Sequence, residues 1–313
     1  MSKFLYFQDG HIKGKNSINR LGNYFEDWLI KFNELLSIAK ENNVSAILDG
    51  GDILDSPEPS YRILDEIADR IEKTKIPMYS LFGNHAQKYA SNEHSKYTGL
   101  AHLQKRSEYF KYLDHPYLKH GQQRVFSIKG IEYSNNIEED IKKNGIVFDK
   151  KFHDCWKVAI VHAFVCPKEF PYASHVVCDD IKTNADLVLV AHYHSQWEKK
   201  VGNTQFLDIG CFGRNSITEA NIEPSCVLLD TEKRSYEIIK LKSAKKAKKI
   251  FDLSKIEEIK EGGKNLEKFI RSIEDTKFQS TSVKDAIKIL AKEGKIDKEV
   301  EELIFQKMEK NNV

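Results

Sequence analysis

The chain has 313 residues, 40% of them hydrophobic and 31% charged, with a formal net charge of +2. That length allows one large domain with a sizeable core plus a smaller one, and that balance excludes a broadly disordered chain. Near-neutral charge excludes attraction to nucleic acid by bulk charge and leaves only a local basic groove for it.

In chain order, a strand is expected over about residues 3–9, running into a loop with Gly10, Lys13, Gly14 and Lys15. Phe25, Trp28, Leu29, Phe32, Leu35, Leu36 and Ala39 recur at three- and four-residue spacing, which predicts a helix over 22–42. The strand Val44–Leu48 leads to Asp52. A turn at Pro57-Glu58-Pro59-Ser60 opens a second amphipathic helix, with Ile63, Leu64, Ile67, Ala68 and Ile71 on one face. The strand Met78–Phe82 follows, and this alternation is an α/β opening with parallel neighbours.

Residues 88–113 are polar and aromatic and predict a loop, then a helix around Gly99–Leu113. From about 124 to 241 the chain is mostly strand-like: Arg124–Ile128, Val158–Val161, Leu187–Val190, Gln205–Ile209, Cys226–Leu229 and Tyr236–Leu241. These strands predict a second sheet packed on the first. The lysine-rich run at 242–249 reads foremost as a solvated turn or linker, and secondarily as a phosphate-contacting segment at the edge of a site. Residues 264–313 read as short amphipathic helices that fold back or serve a partner. The five cysteines form no CxxC pair, so reduced thiols in a cytoplasm are expected. No signal-like segment precedes the first strand, and no apolar stretch nears the ~20 residues of a membrane span.

Metal-binding side chains recur in five pieces, each after a short apolar run: Asp9-Gly10-His11, Gly51-Asp52, Gly83-Asn84-His85, His162 and His192-Tyr193-His194. Strands deliver such residues to one edge of a sheet. Mixed carboxylate, imidazole and amide donors suit two divalent metals such as manganese, iron or zinc, a pair that cleaves phosphate esters. Asp52, bracketed by small residues, is placed to bridge two cations ~3.5–4 Å apart. Asp49 and Asp55 read as strand-end and helix-cap residues. Asn84 and His85 are neighbours and cannot point the same way. Asn84 is therefore expected as a ligand, and His85 as a free imidazole that protonates the leaving oxygen. A lone strand-end histidine such as His162 is more often structural, and its weight comes from its company. His192 and His194 project from one side of an extended segment.

The order D-x-H, G-D, G-N-H, H, x-H-x-H resembles that of the calcineurin-like metallophosphoesterases. More narrowly, Asp9-Gly10-His11-Ile12-Lys13-Gly14, Gly51-Asp52-Ile53-Leu54-Asp55 with Pro59-Ser60, and the turn Gly210-Cys211-Phe212-Gly213-Arg214 are similar to motifs of SbcD-type nuclease subunits. The resemblance covers about residues 1–240. It implies an α/β fold, a two-sheet β-sandwich flanked by helices, with a nuclease domain over 1–241 and a cap and helical tail over 242–313. It implies that Asp9, His11 and His194 hold one metal, that Asn84, His162 and His192 hold the other, that Asp52 bridges them, and that His85 is catalytic. Manganese is the usual metal of that family, with iron, zinc and magnesium as alternatives.

Three departures, Ala86, Ala191 and Cys211-Phe212, are expected to line the site and alter substrate preference. The implied function is a DNA nuclease for duplex ends, hairpins or single strands. Its expected partner is an SbcC-type coiled-coil ATPase docked on the C-terminal helices, and a homodimer is expected through residues 60–73 and 99–113. The alternatives are a small-nucleotide phosphodiesterase or phosphatase and, less favoured, a non-catalytic DNA-end scaffold.

Overall fold

The computed structural model describes residues 2–88, 92–113, 118–119, 126–152, 154–170 and 174–254. The chain divides into two units at Leu253–Ser254, and the C-terminal helices expected over 264–313 lie outside the described residues.

The opening alternates as its periodicity predicts. Strand β1 (Lys3–Phe7) is followed by α1 (Tyr24–Glu41), β2 (Ala46–Asp49), α2 (Tyr61–Thr74) and β3 (Met78–Ser80). Helix α1 starts where the Asn23 side chain accepts from the Glu26 N–H, and buries Phe25, Trp28, Phe32, Leu35 and Leu36 along one face. Next come α3 (Gly99–Arg106) and β4 (Phe110–Tyr112). The helix expected to run to Leu113 therefore stops early. The Ser107 N–H closes the last turn on Leu103, and the Ser107 hydroxyl and the Glu108 N–H both donate to Glu72 on α2. The chain is thereby turned so that β4 extends the sheet beside β3.

The second half contains β5 (Leu118–Lys119), β6 (Phe126–Ile131), α4 (Ile137–Asn144), β7 (Trp156–His162), β8 (Val165–Cys166), β9 (Val176–Val177) and β10 (Leu187–Ala191). It continues through β11 (Gln196–Val201), β12 (Thr204–Ile209), β13 (Ser225–Asp230), β14 (Ser235–Lys240) and the short α5 (Ala247–Ile250). Helix α4 and strand β11 were not expected. β11 is an edge strand whose side chains alternate between exposed and half-buried, so it lacks the apolar run that marks its neighbours.

Among the described residues, two six-stranded mixed sheets form, in the orders β14-β13-β1-β2-β3-β4 and β11-β12-β10-β7-β6-β5, beside a two-stranded β8-β9 pair. Strands β1 to β4 are mutually parallel, as are β6, β7, β10 and β12. Alternation along the strands sorts side chains into three layers. Phe4, Tyr6 and Leu48 meet Phe126, Val158, Ile160, Leu187 and Leu189 between the sheets. Leu5, Phe7 and Ile47 face the other way, onto Trp28, Phe32 and Ile67 of the helices. Val161, Val188 and Val190 pack outward with Ile137 and Ile141 of α4. The central strands are thus buried on both faces, which explains their continuous apolar runs.

Candidate metal centre

Parallel strands from both sheets end at one rim of the sandwich, and the polar residues gather beyond their carboxyl ends. After β1 the chain turns tightly at Asp9 and His11, whose φ angles are 49° and 45°. The turn is held by the Asp9 N–H on the Gly51 carbonyl (3.1 Å) and the His11 N–H on the Asp52 carbonyl (2.7 Å). The Trp28 indole donates to the Gly10 carbonyl (2.7 Å) and the Tyr24 hydroxyl to that of His11 (2.8 Å). Asp52, His192 and His194 also have positive φ, at 55°, 97° and 22°. Such backbone in non-glycine residues costs of order 1–3 kcal/mol each and persists where function or surrounding contacts require it.

Two donor groups form. In one, the ligand atoms of Asp9, His11 and His194 lie within 4.8 Å of one another; in the other, those of Asp52, His162 and His192 do. Asp52 also forms a third such group with His11 and His85, which places it between the first two. The Asn84 amide oxygen lies 3.2 Å from His162 Nε2 and 2.8 Å from His192 Nδ1, so it belongs to the second group. His85 sits at the junction, its ring 4.5 Å from that of His11 and edge-on to it. Its Nδ1 faces the Asp55 carbonyl at 3.0 Å, and a carbonyl only accepts, so Nδ1 carries the proton and Nε2 is left for other partners. All eight residues singled out in the sequence thus come together at this rim.

Two glycines make room for this packing. A Cβ on Gly51, at φ 108°, would stand 2.4 Å from His162 Nδ1, and one on Gly83 would stand 2.1 Å from Asp52 Oδ1.

The donor set fits divalent cations. His11 and His194 point their Nε2 atoms at each other across 2.8 Å, and His11 Nδ1 is buried without a hydrogen-bond partner. His162 Nδ1 is committed to the Gly50 carbonyl (2.9 Å), so its Nε2 faces Asp52 at 3.1 Å. Burial opposes charge on His162, but the Asp52 carboxylate outweighs it and lifts the imidazole to about 9. Burial is likewise outweighed at His194, where Asp9 and Glu219 lift the imidazole to about 11. Burial pushes His11 and His192 down to about 4, with neighbouring imidazoles adding to it. Burial also opposes ionisation of Asp9, but His194, His162 and His11 hold its carboxyl below the usual range. The result is two charged and two neutral imidazoles around two carboxylates, an arrangement in which metal ions can replace protons.

Several contributors were not singled out in the sequence. The Glu219 carboxylate accepts from His194 Nδ1 at 2.6 Å. The Gln8 side chain donates to Asp9 Oδ2 (3.2 Å) and to the buried Asp208 (2.9 Å) while accepting from the Tyr6 hydroxyl. Asp55 is not a helix cap, because Ser60 occupies that position of α2; Asp55 instead lies 3.6 Å from His11 Nδ1 and offers its carbonyl to His85. Asp49 does end its strand, with its carboxylate accepting from the Ser80 hydroxyl and the Gly51 N–H. Phe212, expected to line the site, is core: its ring packs edge-on against Phe7 and Trp28. The lysine run opens as a solvated turn, as expected, with its lysines exposed; its main chain is tied down, since the Lys242 and Ser243 N–H groups donate to Glu34 on α1 and the Lys245 carbonyl accepts from Arg214.

Two relatives are each named "DNA double-strand break repair protein Mre11". The one from Methanosarcina mazei is 24% identical over 229 residues, covering 69% of this chain and 33% of that protein. The one from Thermoplasma acidophilum is 24% identical over 208 residues, covering 63% of this chain and 53% of that protein. The chain therefore spans between a third and about half of the relatives it matches. Among solved structures, TT1561 of Thermus thermophilus aligns at a TM-score of 0.48 with 12% identity, over 77% of this chain and 99% of that one. Residues 17–196 match the calcineurin-like phosphoesterase family, a stretch that includes Asp52, Asn84, His85, His162, His192 and His194. With Asp9 and His11 delivered to the same rim from just before that stretch, this chain belongs to the calcineurin-like phosphoesterases.

Proposed function

We propose that this phosphoesterase is a DNA nuclease with two metal ions. The observation that carries the reading is the meeting of two donor groups around Asp52 with a histidine at their junction. Asp9, His11 and His194 would hold one ion and Asn84, His162 and His192 the other, with Asp52 shared between the two groups; manganese is the ion we propose. When bound, such a pair supplies a nucleophile from water at neutral pH and neutralises charge building on the phosphoryl oxygens.

The protein's own part falls to His85. Its Nδ1–H is fixed on the Asp55 carbonyl, so Nε2 meets the substrate. As imidazolium, with a proton on each nitrogen, His85 gives the Nε2 proton to the leaving oxygen and is left neutral with Nδ1–H still in place. The DNA assignment is supported by the names of the two relatives and by the basic segment around α5. Lys246, Lys248 and Lys249 are exposed there, while Lys245 pairs with Asp27, on a backbone that Arg214 ties to the loop bearing Glu219. Such lysines contact phosphates without reading sequence. In this reading residues 1–241 form the nuclease domain and 242–313 a cap and tail. The tail binds an SbcC-type ATPase, and two copies pair through 60–73 and 99–113.

The test is manganese-dependent cleavage of end-labelled duplex and hairpin DNA beside a generic phosphodiester, with His85→Ala as control. Cleavage abolished in the variant supports the nuclease. Hydrolysis of the generic ester with DNA untouched, with and without the ATPase, favours a small-nucleotide phosphodiesterase.

A further inference from the structure

The loop joining β12 to β13 passes beside the metal centre, and two of its side chains reach in. Glu219 divides its carboxylate between two tasks. Oε1 accepts from His194 Nδ1 at 2.6 Å, while Oε2 accepts the main-chain N–H groups of Asn215 and Ser216. Asn215 also works in two directions: its amide nitrogen donates to Asp55 Oδ1 at 3.3 Å, and its amide oxygen accepts from the Ser17 hydroxyl. Asp55 is the residue whose carbonyl holds His85 Nδ1.

The loop itself is firmly braced. Arg20 donates to the Arg214 carbonyl at 2.6 Å, the Lys31 ammonium to the carbonyls of Phe212 and Gly213, and Arg214 to the carbonyls of Ile222 and Lys245. All three side chains are buried.

We infer that Glu219 and Asn215 are positioning residues of the centre: Glu219 fixes the orientation and tautomer of His194, and Asn215, through Asp55, sets His85. A carboxylate on Nδ1–H holds the proton on that nitrogen and turns Nε2, with a richer lone pair, toward the ion. Both carboxylate oxygens of Glu219 are engaged. Glutamine has only one acceptor oxygen, so it must abandon either His194 or the loop N–H groups. Aspartate keeps both acceptors but is one methylene short. One loop therefore sets a ligand of the first ion and the proton donor together.

The inference rests on the functional reading above, and its test separates the two. Manganese binding to the full chain is titrated by calorimetry and electron paramagnetic resonance, for the wild type, Glu219→Gln and Glu219→Asp. Melting of the metal-free proteins reports whether each variant folds. Two ions are expected in the wild type. In Glu219→Gln one of the two events is weakened about 10–100-fold and the other retained, with partial recovery in Glu219→Asp. A folded Glu219→Gln that binds both ions as the wild type does overturns the role of Glu219. A wild type that takes up no second ion overturns the functional reading and this inference with it.

For Asn215→Ala, turnover of an oligodeoxynucleotide is compared with that of bis(p-nitrophenyl) phosphate. The loss is expected to be about tenfold greater on DNA, whose leaving alkoxide needs a proton where the phenolate does not. Equal losses overturn the role of Asn215. If the wild type hydrolyses the nitrophenyl ester but leaves DNA uncut, the nucleic-acid reading fails, and the dinucleoside phosphate ApA replaces DNA as the alkoxide-leaving substrate in the same comparison.

Discussion

The two halves of the centre are built by different means. In the second half, His162 is the last residue of a core strand, is fully buried, and rests its Nδ1 on a main-chain carbonyl. In the first half, His194 stands on a tight turn, has a side chain 26% exposed, and rests its Nδ1 on a carboxylate from a loop 25 residues further on. A carbonyl brace comes with the fold and survives most substitutions. A carboxylate brace adds negative charge behind the imidazole, but one mutation removes it. The comparison teaches that the sheet supplies rigidity on one side and that side chains tune the ligand on the other.

The most severe way to break both halves is at their junction. Asp52→Asn is expected to lower phosphodiester turnover by about 10³-fold or more, since it withdraws a charge from both donor groups at once. Manganese titration should show both binding events weakened; a variant that loses only one ion would assign Asp52 to one half. His85→Ala, by contrast, leaves both donor groups standing. Its expected cost is about 10²–10⁴-fold on DNA with two ions still bound. Loss of an ion in that variant would move His85 from proton donor to ligand.

How much of this was legible in the sequence follows from the same contrast. Asp9, Asp52, Asn84, His162 and the His192–His194 pair each follow an apolar run that becomes a core strand, so the continuous apolar run announces them. Glu219 and Asn215 follow no such run. They sit on a loop, and the partners of Asn215 are 160 and 198 residues away. The Glu219 signal that did exist is local: Ser216 and Glu219 form a capping box around a three-residue turn, an S-x-x-E pattern readable in the sequence. Asp55 was misread because its useful atom is a main-chain carbonyl, which no residue type advertises. The early end of α3 was hidden because Leu100, Leu103, Phe110 and Leu113 keep a helix-like spacing across the turn at Ser107.

Smaller perturbations sharpen the contrast. Gly51→Ala drives a methyl into the His162 imidazole at a backbone angle that alanine disfavours. It should destabilise the metal-free protein by about 1–3 kcal/mol, read by denaturant unfolding, and weaken the second half selectively. Protons give the finest measure. His162 at about 9 and His194 at about 11 are charged at neutral pH, whereas His11 and His192 at about 4 are not. Filling the centre is therefore expected to release one proton from each half. Apparent manganese affinity should rise with pH between about 6.5 and 9, by up to tenfold per pH unit for each proton released. Calorimetry in buffers of different ionisation enthalpy counts those protons; a count of zero would mean that the ions bind without displacing them.

The rim has a mechanical consequence. Asp9, Asp52 and Asn84 leave the first sheet, while His162, His192 and His194 leave the second. Ions held by both groups, as proposed, would act as a rivet through two layers whose shared face is otherwise built mainly of apolar side chains. The rivet works in the manner of a cross-link, closing the 183-residue separation between His11 and His194. Resistance of the sandwich to splaying and occupancy of the centre are then one equilibrium. An ion present at a hundred times its dissociation constant adds about 2.7 kcal/mol to the fold, so a melting curve also reads the state of the catalyst.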